Sequence, residues 1–383
     1  MANKFRIPEV TFMGEGALEA AEKDIAILGK KAFIVSGKSM IKQGHVDALR
    51  ELLKRNNVDS TVFSDIPGEP TDKMIEAGFN LYQSEGCDFI IGIGGGSPLD
   101  SAKAVGILAA GGGKLSDYNG KVITEKLPPL VEIPSTAGTG SEVTPFTIIT
   151  DTENDIKMLL KGDPLMPKVA VVDPVFSMET PESVTVATGL DALTHAVEAY
   201  TSKKAFPESD LFAVSAVKRI FKYLPEAVKD GKNKKAREEM AIAAYEAGIS
   251  FGNSSVTVVH GMSRPIGALF HVPHGISNAM LLKECLTYVA DGAYDRFADL
   301  GKAIGVASEG DSKETATDKF IDEVANLCSF CKVPTLGEYG IDKEEFFSHM
   351  DKMAQDALDS GSPGNTRKEL AKEDILNIYK KLW

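Results

Sequence analysis

The sequence predicts an α/β domain over residues 1–180 followed by an all-helical domain over 181–383. Three observations carry this. The chain has 383 residues, more than one ordinary core serves, so two domains are expected. Up to about residue 180, short apolar runs alternate with stretches of helical period, the pattern of a parallel sheet with helices on both faces. Beyond that point strand signals fade, and apolar residues recur at helical spacing to Trp383.

"KAFIVSG" (31–37) is an apolar run closed by glycine, as in a buried parallel strand. "KQGHVDALRELLKRNN" (42–57) has helical spacing, and "STVFSDI" (60–66) suits a second strand. "TDKMIEAGFNLYQSEG" (71–86) opens on Thr71 as an N-cap and stops at Gly86. "CDFIIGIGGG" (87–96) is a third strand, followed by the helix "SPLDSAKAVGILAAGGG". Further strands are expected in 129–135, 146–151 and 168–174. The later segments "VATGLDALTHAVEAYTS", "DLFAVSAVKRIFKYLPEAV", "KKAREEMAIAAYEAGISFG" and "AMLLKECLTYVADG" are helical in period.

A formal net charge of −13 repels phosphate backbones, so no nucleic-acid partner is expected. No run of 18 apolar residues is present, so no membrane span is expected. The opening "MANKFRIPEVTFMGEG" lacks a signal-peptide core, which points to the cytoplasm. Cys328 and Cys331 form a CxxC; without a second such pair, packing at a helix end is the simpler reading than metal or thiol chemistry.

"FIIGIGGGSPLDSAKA" combines a strand, a glycine turn and a helix start. Gly94, Gly95 and Gly96 permit close backbone approach. Ser97 is placed as the helix cap, Pro98 in the first turn, and Asp100 where it suits the helix dipole. Free N–H groups there can hold an anion. The spacing lacks the last glycine of the dinucleotide fingerprint, so a phosphate site and a plain tight turn both stand. A second polar turn, "PSTAGTGSEVTPFT", offers the hydroxyls of Ser135, Thr136, Thr139 and Thr144, apt for phosphate and ribose or simply those of a loop.

Only six histidines occur, and His260, His271 and His274 cluster in "VVHGMSRPIGALFHVPHGISN". Asp191 and His195 stand four apart on a helix and share one face, with Glu198 on the next turn. Alone, that pair suits a hydrogen-bonded couple in the core. Joined by His260 and His274 it becomes a mixed N/O set for Fe²⁺, Zn²⁺ or Ni²⁺, not Ca²⁺ or Mg²⁺. Such an ion would act as a Lewis acid on a carbonyl or alcohol, and with a dinucleotide the expected place of hydride transfer is a cleft between the domains.

The strings "GGGSPLDSAK", "PSTAGTGSEVT", "KVAVVDP", "ATGLDALTHAVEAY" and "HGMSRPIGALFHVPHGISNAMLL" resemble the iron-containing (group III) alcohol dehydrogenases over essentially the whole chain. The resemblance implies an N-terminal Rossmann-like domain and a C-terminal all-α domain, a fold shared with dehydroquinate synthase. It implies that Asp191, His195, His260 and His274 bind Fe²⁺, with Zn²⁺ as the alternative. It places a pyrophosphate turn on Gly95, Gly96 and Ser97, a further cofactor loop on Ser135 to Thr139, and a nicotinamide-side lysine on Lys157. The implied cofactor is NAD(H) or NADP(H), and the implied assembly a homodimer or larger homo-oligomer.

Two departures from the family pattern matter. Many NAD-linked members carry an Asp where this chain has Gly37 followed by Lys38; its loss removes repulsion of a 2′-phosphate and admits NADP. Many members carry a further His where this chain has Arg264. Arginine cannot shuttle protons. His271 is the candidate to take over proton transfer. Arg264 itself either clamps an anionic substrate tail or pairs with a nearby acid or carbonyl. The expected activity is hydride transfer between nicotinamide and a small primary alcohol or aldehyde, one with an anionic tail such as sulfoacetaldehyde or succinic semialdehyde under the clamp reading. A glycerol or other polyol dehydrogenase is the alternative, and a purely structural role is disfavoured by the complete ligand set.

Overall fold

The computed structural model describes residues 2–154 and 156–383. The chain divides into two compact units. One is Arg6–Thr180; the other is Pro181–Trp383 together with the N-terminal residues through Phe5. The Phe5 ring stacks on Phe212 (6.0 Å between centroids) and meets Phe206 edge-on, which ties that short leader to the helical unit.

The strands of the α/β unit are β1 (Val10–Met13), β2 (Lys31–Ser36), β3 (Asp59–Phe63), β4 (Phe89–Gly94), β5 (Leu130–Pro134), β6 (Phe146–Asp151), β7 (Ile156–Lys161) and β8 (Val169–Val172). Six of them form one parallel sheet in the order β1-β8-β5-β4-β2-β3. Strand alternation explains why both faces are covered. In β2, Ala32 and Ile34 pack with Ile25, Leu49 and Leu52, while Phe33 and Val35 pack with Phe63, Ile75 and Val105 on the other face.

Residues 146–151 form the expected strand but stand outside the parallel sheet. They pair antiparallel with β7, Thr150 opposite Lys157. "FTIITD" buries only alternate residues, which suits a one-faced hairpin. The link from Asp151 to Ile156 is also far too short for a parallel crossover. The short strands β1 and β7 had no clear sequence signature.

The carboxyl ends of β2 and β4 lie side by side, and the chain leaves them in opposite directions, toward β3 and toward β5. That makes the β2/β4 boundary the topological switch point, where open α/β sheets bind ligands.

In the helical unit, the Glu182–Thr201 helix packs against the Pro207–Lys229, Lys234–Ser254 and His274–Val289 helices. It is buried nearly all round, so Asp191, His195 and Glu198 lie among Leu190, Leu193, Ala196 and Val197. Cys328 and Cys331 are free at the end of the Lys313–Phe330 helix, and burial pushes their thiols up to about 12 and about 11. They are protonated packing groups there. Among the described residues, no helix is long and apolar enough to cross a membrane.

Candidate metal centre and nucleotide turn

Three helices bring the predicted ligands together. Asp191 and His195 come from the Glu182–Thr201 helix, His260 from the first turn of the Val258–Phe270 helix, and His274 begins the His274–Val289 helix. Gly275 explains how the last of these comes close. A Cβ there would lie 2.1 Å from the Ala187 carbonyl oxygen and 3.3 Å from Asp191 Cβ, so only glycine lets the helix start rest on the neighbouring backbone.

Ligand atoms of Asp191, His195 and His260 all lie within 4.8 Å of one another, and all three residues are buried. Asp191 Oδ1 is 3.6 Å from His260 Nε2 and 3.7 Å from His274 Nε2; Asp191 Oδ2 is 3.9 Å from His195 Nδ1. A tetrahedral ion with bonds of about 2.1 Å spaces its ligands about 3.4 Å apart, so this donor set fits a divalent ion. His274 stands outside the tight trio and faces outward, with 41% of its side chain accessible. His195 is wedged between rings, 4.0 Å from Phe251 and 4.5 Å from His260.

Protonation follows from this packing. Burial opposes charge on Asp191, but His195, His274 and His260 outweigh it and hold the carboxyl far below its ordinary range. Partial loss of hydration, reinforced by His260, His195 and Arg264, holds His274 below the ordinary imidazole range against the pull of Asp191, which favours a neutral ring able to donate a lone pair.

Glu198, noted in the sequence only as the next turn, orients His260. Its Oε2 is 2.6 Å from His260 Nδ1. Its Oε1 accepts from Thr257 Oγ1 at 2.7 Å and from the Val259 N–H at 2.6 Å. A carboxylate on Nδ1 keeps the proton there and turns a bare Nε2 toward the centre. The signal available in sequence was an acid three residues after His195, on the same face of an apolar helix.

Arg264 follows His260 by one turn. Its Nη1 donates to Ser362 Oγ at 3.2 Å; among the described residues it makes no other hydrogen bond and no ion pair. The expected acid or carbonyl partner is absent from that set. His271 is the left-handed C-cap of the Val258–Phe270 helix (φ 55°) and is exposed, without a hydrogen bond to the four predicted ligands.

The second site lies in the α/β unit. Gly94 (φ 149°), Gly95 and Gly96 carry β4 into the Gly96–Gly111 helix. Ser97 is not its cap, as the sequence suggested. Gly95 holds that position without a side-chain bond, because the helix begins at Gly96 and puts Ser97 inside the first turn. The Ser135 N–H donates to the Gly94 carbonyl at 2.7 Å. A Cβ on Gly96 would stand 2.8 Å from Thr139 Cγ2, and one on Gly95 would stand 3.5 Å from Thr136 Cγ2. Gly37, at the end of β2, lies beside Gly94. Gly37, Gly94 to Ser97 and Ser135 to Thr139 therefore converge at the switch point, with an uncapped helix N-terminus aimed into them, a cradle suited to a dinucleotide's phosphates.

Two cofactor candidates sit differently. Asp100 lies beyond the first helical turn, and its carboxylate accepts from Ser141 Oγ (2.7 Å) and the Ile148 N–H (3.0 Å), lashing the helix to the following loop. Lys157 lies on β7 and pairs with Glu69 at 2.7 Å. A residue the sequence did not single out joins Asp100. Lys103 is fully buried, and its ammonium donates to the carbonyls of Ser141 (2.5 Å), Thr144 (2.8 Å) and Phe146 (3.2 Å). An Asp and a Lys three apart in an otherwise apolar helix was the overlooked signal.

A parallel sheet with a phosphate cradle at its switch point, and a helical unit with an Asp–His centre, define a metal-using, nicotinamide-linked dehydrogenase. Residues 8–174 match the iron-containing alcohol dehydrogenase model, and residues 185–383 match the C-terminal model of that family. The chain is 37% identical to a 1,3-propanediol dehydrogenase of Citrobacter freundii, over 98% of this chain and 97% of that one. A solved 1,3-propanediol oxidoreductase superposes with a TM-score of 0.96 at 34% identity, covering all of both chains. A sulfoacetaldehyde reductase from Bifidobacterium kashiwanohense, solved with NAD⁺, gives 0.89 at 27% identity, covering 100% of this chain and 99% of that one. The chain belongs to the iron-containing alcohol dehydrogenase family. It is an NAD(P)-dependent, metal-binding oxidoreductase acting on alcohols or aldehydes, and its Asp/His/His set supports iron as the metal.

Proposed function

We propose that the protein reduces a small aldehyde bearing an anionic tail, such as sulfoacetaldehyde or succinic semialdehyde, or oxidises the matching primary alcohol. One observation carries this reading: the Arg264 guanidinium, close enough to depress His274, has a single serine hydroxyl as its hydrogen-bond partner among the described residues. A half-buried cation short of partners is suited to a bidentate anion. The likeness to a sulfoacetaldehyde reductase supports it.

Asp191, His195, His260 and His274 would hold the metal, and Gly94 to Ser97 with Ser135, Thr136 and Thr139 the dinucleotide. Bound there, a divalent ion supplies Lewis acidity and the nicotinamide supplies or takes up hydride. Glu198 keeps the His260 proton on Nδ1, away from the centre. Arg264 orients the anionic end of the substrate. His271, exposed on the turn between two ligand-bearing helices, exchanges the proton with solvent. Asp100 acts by holding the cofactor loop rather than by touching the cofactor. Gly37 leaves room for either NADH or NADPH.

The 37% identity to a 1,3-propanediol dehydrogenase supports a second reading, a neutral diol or polyol such as glycerol. A panel of propanal, sulfoacetaldehyde, succinic semialdehyde and polyols, run with both cofactors, separates them. Charge-assisted hydrogen bonds contribute about 1.5–3 kcal/mol, so Arg264→Met should cut kcat/KM for the anionic aldehydes roughly 10- to 150-fold and change propanal only a few-fold. An equal loss on propanal would sink the clamp.

A further inference from the structure

At the middle of the ligand cluster lies a residue that no consideration of ligand types singles out. Asn278 follows His274 by four residues, so both project from one face of the same helix. It is fully buried. Its Nδ2 donates to Asp191 Oδ1 at 2.8 Å and stands 3.2 Å from both His260 Nε2 and His274 Nε2. Its Oδ1 is buried with no hydrogen-bond partner.

An amide nitrogen carries two protons, yet three acceptors surround this one, all of them predicted metal ligands. Buried side-chain polar atoms normally have at least one hydrogen-bond partner. Here the oxygen is left bare and the nitrogen is turned inward, which a role in packing alone does not explain. The three acceptors are the atoms whose lone pairs a cation would share. Donating to them keeps those lone pairs converging when no ion holds them. Once His260 and His274 give their lone pairs to an ion, the bond to Asp191 Oδ1 can persist, because a carboxylate oxygen has a second lone pair.

We propose that Asn278 is a positioning residue of the metal centre: it holds the place of the ion and aligns Asp191, His260 and His274 for it. This rests on the metal reading above. The test is to strip the protein with EDTA and titrate Co²⁺ into wild type and Asn278→Leu, following affinity by chelator competition and geometry by the visible absorption of Co²⁺. Leucine keeps the volume, and circular dichroism checks that the metal-free variant is folded. Its Co²⁺ affinity should fall about 10- to 100-fold, with altered absorption bands. A folded Asn278→Leu protein with wild-type Co²⁺ affinity and spectrum overturns the proposal. If that variant does not fold, Asn278→Ala is judged by the same two readouts. Wild-type protein that takes up no Co²⁺ overturns the metal reading and this inference together.

Discussion

Replacing Glu198 with glutamine changes one oxygen to an NH₂ and almost nothing in volume. The two carboxylate oxygens face different groups. Oε1 accepts from Thr257 Oγ1 and the Val259 N–H, and Oε2 faces His260 Nδ1 at 2.6 Å. Glutamine has one acceptor oxygen. If it stays with Thr257 and Val259, the NH₂ faces Nδ1, which must then accept and move its proton to Nε2, the atom needed by the metal. If the amide turns over, its NH₂ meets the Val259 N–H, which can only donate, in a fully buried place. Both arrangements oppose ligation. The loss expected for disturbing such an outer partner is about 10- to 100-fold in metal affinity, or roughly 1.4–2.7 kcal/mol. Chelator competition with Zn²⁺ or Fe²⁺ on folded Glu198→Gln measures it, with circular dichroism confirming the helices. Unchanged affinity in the folded variant would refute the assignment of His260 as a ligand oriented through Nδ1.

Two further outcomes are expected in the α/β unit. Gly96→Ala should weaken binding of NADH and NADPH about tenfold or more, read by nucleotide fluorescence, because the new methyl would collide with Thr139; unaltered Kd for both would refute the cradle. Burial raises the Glu142 carboxyl to about 7 from an ordinary 4.5. The native state therefore binds the extra proton, and its stability is full below about 4.5 and is lost as pH rises through about 7. Wild-type melting temperature should fall across that window by the equivalent of up to about 3 kcal/mol, and Glu142→Gln should flatten the slope; a parallel slope in the variant would refute it.

Much of the site was legible because its chemistry is written in rare residue types. Histidines four apart from an aspartate, or followed by glycine, stand out in a chain with six of them. The glycine turn was legible because strand, turn and helix periods change within a few residues. What escaped were ordinary residue types made special by position. Asn278 is one amide among several, and only the approach of three helices sets it among the ligands. Lys103 looks like a solvent-facing lysine until the 141–146 backbone wraps it. The hairpin of β6 and β7 was missed because an apolar run does not state its partner. The helix cap was misplaced by two residues, at Ser97 instead of Gly95, since three consecutive glycines leave the helix start undefined in sequence.

The buried ammonium of Lys103 has a wider consequence. Backbone carbonyls from Ser141, Thr144 and Phe146 converge on it much as they would on a potassium ion. A free ion in that place would come and go with the salt around the protein. A tethered one cannot be diluted or exchanged. The loop that shapes the phosphate cradle thus carries its own counterion in the chain, and its form is insulated from the ionic composition of its surroundings.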